Sequence, residues 1–267
     1  MAVARRIRRR GWMNAANKSN QTTTTEPRRP VVRHLAVRSR TAGSLAEAKA
    51  YVFHVEGTLV DTVLPSVNCW LQTLAEFGQV FRTADVHRFH GMDSEDLLDR
   101  LLPEGAAREN KEFILAKYRS RWATEVLPTL RAFPGVRELI GELVARGAKI
   151  ALVSTGGAEE VAHYRTLLGV DDLVEVVVSG EDVARGMPHP DLIAAALDKL
   201  GIRQPGDALL VGHSPYDAEA AHAAHMRSVG MLTGLFARAD LVNAGSQSVF
   251  LDAKSLRQAL ATPEVAA

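Results

Sequence analysis

The segment YVFHVEGTLVDT, Tyr51 to Thr62, begins with an apolar run of strand length and continues into a loop of small and polar residues. Further runs of strand length and mostly strand composition are Lys149 to Ser154, Leu173 to Val178, Ala208 to Val211 and Arg227 to Met231. The segments between them have apolar residues at helical spacing: Val136 to Arg146, Ala158 to Leu168, Pro190 to Leu200 and Tyr216 to His225. This alternation predicts an α/β fold, a doubly wound, Rossmann-like parallel sheet whose ligands sit beyond the carboxyl ends of the strands.

One interval between the first two strands is far longer than a crossover in such a fold. It contains three stretches with helical patterning, Ser66 to Phe77, Ser94 to Leu102 and Glu109 to Glu125. We therefore predict a helical cap over residues 62–131, inserted into a core made of residues 50–61 and 132–267.

Composition excludes several classes of protein. The 267 residues are 46% hydrophobic and 24% charged, as expected of one large soluble domain or one domain with an insertion. No run approaches the roughly 18 to 20 apolar residues of a membrane helix, and no apolar signal core is present at the start, so we expect a cytoplasmic protein. The single cysteine, Cys69, excludes an internal disulfide framework and a Cys-rich zinc site. Neither GxxxxGK[ST] nor a GxGxxG after a strand is present.

The first fifty residues differ from the rest in charge. They hold twelve Lys or Arg and two acids, whereas the other 217 residues hold twenty and twenty-nine. Because they also lack an apolar period, we interpret residues 1–49 as an unstructured basic arm. The arm fits a transit peptide, which would imply an organelle, or a tether for nucleic acid or an anionic membrane, or a solvated extension without a role.

Four segments at the expected strand ends carry a family resemblance. They are YVFHVEGTLVDT, IALVSTGG (Ile150 to Gly157), GEDVARGMPHPD (Gly180 to Asp191) and LLVGHSPYDAEAA (Leu209 to Ala221). In this order, and with a cap after the first, they resemble the haloacid dehalogenase-like phosphohydrolase superfamily of the phosphoglycolate phosphatase type. The resemblance covers roughly residues 51–260 and implies a phosphomonoester hydrolase that uses magnesium.

The resemblance also assigns roles to positions. The family's nucleophilic and proton-donating aspartates correspond to His54 and Glu56, and its charge-neutralising lysine corresponds to Met187. The first aspartate of its metal-binding segment corresponds to His213, while Asp217 matches a later acidic position. None of the four substituted positions retains the residue type that the reaction uses.

The substituted residues are poor replacements. Phosphoryl transfer through an aspartyl phosphate needs an anionic oxygen nucleophile, an oxygen-rich cation site and a positive group beside the phosphoryl oxygens. Imidazoles at His54 and His213 suit magnesium poorly, and Met187 carries no charge. We therefore predict a catalytically degenerate protein, a pseudophosphatase, with no magnesium site.

The rest of the family pattern is intact and indicates a retained pocket. Its candidate ligand-binding residues are Gly57, Thr58, Ser154, Thr155 and Gly156. The leading hypothesis is a protein that binds a small phosphorylated or carboxylated ligand, or a protein partner, between core and cap. Simple decay of the site is an alternative explanation of the same substitutions.

Two alternatives stay open, a surviving enzyme and a tethering protein. A surviving hydrolase could use His54 as a phosphoryl acceptor or use an unusual metal, and a scaffold could act through its basic arm alone. The candidate transition-metal ligands are His54, His213 and Asp217, since two imidazoles and a carboxylate suit zinc or iron(II) better than magnesium. Candidate cap contacts for a ligand are Phe89, His90, Met92 and Trp122. The oligomeric state is not indicated.

Overall fold

A parallel sheet of six strands forms the centre of the protein, whose structure is a computed structural model that describes residues 45–102 and 109–261. The strands are β1 Ala50–His54, β2 Lys149–Val153, β3 Val176–Val178, β4 Ala208–Gly212, β5 Arg227–Met231 and β6 Ser248–Phe250. Their order across the sheet is β3-β2-β1-β4-β5-β6. Because the order reverses beside β1, a crevice is expected at the carboxyl ends of β1 and β4.

Strand β1 lies between β2 and β4 and is buried along its whole length. Its residues alternate between the two faces, so Tyr51 and Phe53 join one apolar core and Ala50 and Val52 join the other. A strand covered on both faces favours apolar residues, which explains the apolar run that precedes His54. The predicted doubly wound sheet is confirmed.

Helices cover both faces of this sheet. Those of the core are α5 Val136–Ala145, α6 Ala158–Leu168, α7 Asp191–Leu200, α8 Pro215–Ala223, α9 Arg238–Asn243 and α10 Ala253–Ala261. The buried residues Leu192 and Ile193 of α7 pack into the core that contains Val52, whereas Leu139 and Ile140 of α5 pack into the other. None of the helices in residues 45–102 and 109–261 has the length and apolar character needed to cross a bilayer.

Helices also occupy the long interval after β1. They are α1 Val63–Glu76, α2 Thr83–His87, α3 Ser94–Leu101 and α4 Lys111–Arg121, followed by a π-helical turn Trp122–Val126 and a 3-10 turn Leu127–Thr129. The two connections to the core run side by side, since the Asp61 N–H donates to the Arg131 carbonyl at 2.9 Å. Cys69 of α1 is buried in apolar packing, and burial raises the pKa of its thiol to about 12.

The structure differs from the sequence-based prediction in a few elements. Strand β3 is shorter than the predicted Leu173 to Val178, because the Leu173 and Val174 N–H groups donate to the Val170 carbonyl in a helical turn. The short elements α2, α9 and β6 were not predicted. Residues 1–44 of the basic arm lie outside the described residues, so the interpretation of this segment stays a prediction.

Candidate functional site

The motif segments meet where three neighbouring strands end. His54 is the last residue of β1, Ser154 follows β2, and His213 follows β4. All three side chains are buried, as is Asp217 in the first turn of α8. Since β2, β1 and β4 are adjacent and parallel, their carboxyl ends bring these distant sequence positions to one place.

His54 connects two carboxylates. Its Nδ1 lies 2.6 Å from Asp217 Oδ1, and its Nε2 lies 3.3 Å from Glu56 Oε2, an ion-pair contact without hydrogen-bond geometry. Burial lowers the pKa of His54, but the charge and hydrogen bond of Asp217, together with Glu56, raise it to about 10. At neutral pH His54 is therefore an imidazolium between two anions. We call His54, Glu56 and Asp217 the motif floor.

Asp217 uses its second oxygen for the start of helix α8. Its Oδ2 accepts the backbone N–H of His213 at 2.9 Å, the N–H of Ser214 at 2.8 Å and the Ser214 hydroxyl at 2.7 Å. Ser214 is the N-cap and Asp217 the third helical residue of a capping box. Burial would raise the pKa of Asp217, yet His54 holds it well below its usual range. Both oxygens are thus engaged within the protein.

The carboxylate of Glu56 is hydrogen-bonded to Ser154, one of the residues predicted to bind a ligand. Its Oε1 accepts the Ser154 hydroxyl, while Ser154 Oγ accepts the Gly156 N–H at 2.9 Å. Burial opposes ionisation of Glu56, but the charge of His54 and the hydrogen bond from Ser154 lower its pKa. Glutamate is one methylene longer than aspartate, which lets its carboxylate reach Ser154. In this position Glu56 is an internal anion beside the candidate anion-binding residue.

The hydrogen-bond partners of the His213 ring are neutral, although its Nδ1 also lies 3.6 Å from Asp217 Oδ2. Its Nδ1 is 3.2 Å from the Thr58 hydroxyl and its Nε2 is 3.3 Å from His90 Nδ1. Burial lowers the pKa of His213 to about 4 and lowers that of His90 as well. The ring packs on Gly57, whose φ is +66° and where a Cβ would lie 2.5 Å from His213 Cδ2. His213 is therefore a neutral ring fitted against the loop after β1.

Met187 supplies no charge to the site. It is fully buried and packs in the apolar core that contains Val178, Leu192 and Ile193. Its carbonyl accepts the Asp93 N–H at 2.7 Å, which links the core loop to the cap. A flexible thioether fits such a gap, so the position has become part of the packing.

The other candidate ligand-binding residues divide into two groups. Thr155 and Gly156 line a cavity of about 680 Å³ between the core and cap helices, as do the predicted cap contacts His90, Met92 and Trp122. Gly57, Thr58 and Ser154 do not line it; their polar groups are used within the protein, with Thr62, His213 and Glu56 as partners. Phe89 does not line it either.

The magnesium that the family resemblance implies does not fit these residues. One ligand atom each from His54, His213 and Asp217 lies within 4.8 Å of the others, as the sequence predicted. Magnesium prefers oxygen ligands, however, and both oxygens of Asp217 already accept hydrogen bonds. Both nitrogens of His54 face carboxylates, and a metal ligand must present a free lone pair. A transition-metal site stays a prediction that requires His54 to turn away from Asp217 and Glu56.

The residues of the cavity wall that sequence reasoning missed include Glu160 and Tyr164. They lie one turn apart on α6, the helix that follows the Ser154 loop. An acidic residue in the first turn of a helix is ordinary, so Glu160 alone gave no signal. Its spacing from Tyr164 on a helix beginning at a strand end is the pattern that could have identified both.

A doubly wound parallel sheet with helices inserted after its first strand places the protein in the class of Rossmann-like α/β folds with a helical cap. Residues 51–231 match the family model described as haloacid dehalogenase-like hydrolase, and the chain belongs to this family. The chain is 30% identical over 224 residues to phosphoglycolate phosphatase of Rhodospirillum rubrum, covering 81% of this chain and 92% of that protein. It is 28% identical over 210 residues to phosphoglycolate phosphatase of Nitrosococcus oceani, covering 77% and 93%.

Solved structures agree with this assignment. A hydrolase from Pseudomonas syringae superimposes with a TM-score of 0.73 at 26% identity, covering 82% of this chain and all (100%) of that one. A haloacid dehalogenase-like family hydrolase from Streptococcus pneumoniae gives a TM-score of 0.68 at 20% identity, covering 79% and 98%. The second likeness concerns the fold alone.

Proposed function

We propose that this protein is a catalytically degenerate member of the haloacid dehalogenase-like hydrolase family that keeps its cleft for binding. The observation that carries the proposal is the position of His54, held by Asp217 at 2.6 Å and by Glu56 at 3.3 Å where the family's nucleophile is expected. A side chain ionised in this way is a cation, whereas the reaction needs an anionic nucleophile. The motif floor contributes to the stability of the fold rather than to turnover.

The alternative in which His54 accepts a phosphoryl group receives no support from this geometry. Imidazole attacks through a free lone pair, and each ring nitrogen of His54 faces a carboxylate oxygen. The negative charge of Glu56 next to Ser154 also repels an approaching phosphoryl group. With Met187 in the place of the lysine, that position supplies no positive charge to offset the repulsion.

Hydrolysis of phosphomonoesters, measured with 2-phosphoglycolate and a chromogenic aryl phosphate in the presence of magnesium, tests the proposal. We expect the unmodified protein to stay at background. Activity should appear only when His54→Asp, Glu56→Asp, Met187→Lys and His213→Asp are combined, because they restore nucleophile, acid, lysine and cation site together. The four variants that each lack one of these changes are the controls. Robust magnesium-dependent turnover by the unmodified protein would refute the proposal.

The ligand or partner of the cleft is a separate part of the proposal. From sequence, a small phosphorylated or carboxylated molecule or a protein partner was expected, with nucleic acid or anionic membrane engaged only by the basic arm. A cytoplasmic location, or an organelle if residues 1–49 are a transit peptide, stays a prediction. Binding to nucleic acid or anionic vesicles through the arm should weaken steeply with salt, and removal of residues 1–44 should abolish it.

A further inference from the structure

The wall of the cleft is strongly acidic. Within residues 45–102 and 109–261, its lining contains seven carboxylates but only two guanidiniums, Arg119 and Arg185. Both arginines are exposed, and Arg185 is paired with Asp191 at 3.2 Å. The lining also includes His54, whose ring faces the carboxylates of Glu56 and Asp217. Little positive charge is therefore left to balance the remaining carboxylates.

Three of these carboxylates, Asp93, Glu160 and Glu181, surround the loops that end β2 and β3, and we call them the acidic wall. The loop glycines allow their close approach: a Cβ at Gly156 would lie 2.8 Å from Glu160 Oε2, and one at Gly157 would lie 2.6 Å from Glu181 Oε1. The Trp122 indole N–H donates to Glu160 Oε2 at 2.7 Å and fixes its position. The loop expected to receive a phosphate is thus bordered by anions.

A second observation indicates that a hydrogen-bonding ligand belongs in this cavity. Tyr164 is fully buried and lines the cavity, yet its hydroxyl has no hydrogen-bond partner among the described residues. The nearby Trp122 N–H is directed to Glu160 instead. Glu56 Oε2 is likewise buried without a hydrogen bond from the described part of the chain, apart from its ion-pair contact with His54. Buried polar atoms of this kind normally have partners, so a ligand donor is expected here.

Aromatic rings line the same cavity. Trp70 and Tyr118 are stacked with ring centroids 3.7 Å apart, and Tyr118 and Trp122 are 6.0 Å apart at an interplanar angle of 16°. Such rings pack against methylene groups and attract organic cations by their negative faces. Hydrated metal ions gain little from an aromatic surface, so the combination favours an organic cation over an inorganic one.

We propose that the cleft binds an organic cation with protonated amines, of the alkyl di- or polyamine class, with the ammonium groups at the acidic wall, Glu160 above all, and the methylenes against the aromatic rings. The ammonium N–H groups would also donate to the Tyr164 hydroxyl. This inference rests on the proposed non-catalytic function of the same cleft. It reverses the ligand charge expected from the sequence, because the lysine is lost and the anion-binding residue Ser154 is engaged by Glu56.

Calorimetric titration of the full chain with spermidine, 2-phosphoglycolate and magnesium chloride at physiological salt tests this inference. We expect saturable binding of spermidine only. Glu160→Gln keeps an acceptor for Trp122 but removes the charge, and it should weaken spermidine binding at least about tenfold. Tyr164→Phe preserves packing and should weaken binding by a smaller factor. Glu112→Gln, at an exposed cap position outside the cavity lining, is the matched control and should bind normally.

Several results would overturn the inference. They are an absence of spermidine binding, equal binding by Glu160→Gln and the control, or binding of 2-phosphoglycolate or magnesium in preference to spermidine. Trp70 and Trp122 line the cavity, so a change in intrinsic fluorescence on saturation gives a second readout. A negative amine titration leaves the proposed function standing, because the proposed function is tested by measuring turnover. Magnesium-dependent turnover would refute the proposed function whatever the amine titration gives.

Discussion

The motif floor and the acidic wall border the same cleft, but their carboxylates differ in how far neighbouring side chains balance their charge. On the floor, the imidazolium of His54 lies between Asp217 and Glu56, and the pKa of both carboxyl groups is lowered. On the wall, burial and the nearby charge of Glu56 raise the pKa of Glu160 to about 7, and burial raises that of Asp93. The floor carboxylates have a cationic partner within the protein, whereas the wall holds two carboxyl groups, those of Asp93 and Glu160, that burial makes costly to ionise.

This difference indicates where a ligand can gain binding free energy. A cation that binds at the floor must compete with His54 for the two carboxylates that it already contacts. The net gain in binding free energy is therefore small. A cation that binds at the wall offsets the desolvation cost and the mutual repulsion of carboxylates whose charge the described residues leave unbalanced. Loss of catalysis and retention of a binding cleft are therefore compatible in one molecule, because they concern different sets of side chains.

The largest expected effect comes from removing the cation of the floor. His54→Ala leaves the buried carboxylates of Asp217 and Glu56 without their positive partner, and we expect the free energy of unfolding to fall by about 3–5 kcal/mol. Chemical denaturation at neutral pH measures this loss. His189→Ala is the control, since His189 is a half-buried cleft residue whose ion pair with Asp96 is longer, at 3.5 Å. A loss no larger than that of the control would mean that the floor is not an ion-pair network.

The pH dependence of the same variant sharpens the test. The pKa of His54 is raised to about 10, so its stabilising contribution is complete below the ordinary histidine pKa and is lost as the pH rises toward 10. The pKa of Asp217 is lowered, so its contribution is present above the ordinary aspartate pKa and is lost in acid. The difference between wild type and His54→Ala should therefore be largest between the ordinary pKa values of aspartate and histidine and shrink on either side.

Much of this architecture could be predicted from sequence. The apolar runs of β1, β2, β4 and β5 are distinctive because the middle of a strand buried on both faces is mostly apolar. The convergence of His54, Ser154 and His213 also follows from parallel strands with motifs at their ends. Strand β6 was missed because it has three residues, too few for a periodic pattern.

The pairing within the site could not be predicted in the same way. Sequence places His54, Glu56 and Asp217 close together, but whether the rings face a metal or the carboxylates depends on side-chain torsions. The acidic wall escaped notice because Asp93, Glu160 and Glu181 lie on three separate elements and each looks like a solvated surface acid. Only their shared orientation toward the cavity distinguishes them.

An intermediate effect is expected from the wall. Because the folded pKa of Glu160 is about 7, the folded protein binds more protons than the unfolded chain between about pH 4.5 and 7, and its stability falls as the pH rises through this window. Glu160→Gln lacks this loss. Relative to wild type, its free energy of unfolding should improve from pH 4.5 to pH 8 by on the order of 2 kcal/mol, allowing for partial solvent screening.

The charged groups around Glu160 do not reverse that expectation. Glu56 opposes its ionisation and Arg119 favours it, while the Trp122 hydrogen bond is available to Gln as well. Denaturation curves of Glu160→Gln and Glu112→Gln at several pH values provide the comparison. If the two variants changed in parallel with pH, the wall would be solvated like any surface and the contrast with the floor would disappear.

The smallest effect should come from the edge of the floor, at Ser214. Its hydroxyl donates to Asp217 Oδ2 at 2.7 Å, and its side chain caps α8. Ser214→Ala removes both interactions but leaves the backbone N–H groups of His213 and residue 214 bound to Asp217. We expect a loss of about 1 kcal/mol, as for other helix caps. Thermal denaturation of Ser214→Ala and His54→Ala side by side gives the ratio of the two losses in stability. Equal losses would show that Asp217 acts mainly as part of the helix cap and less as the partner of the imidazolium. The floor would then be a capping motif rather than a charge pair.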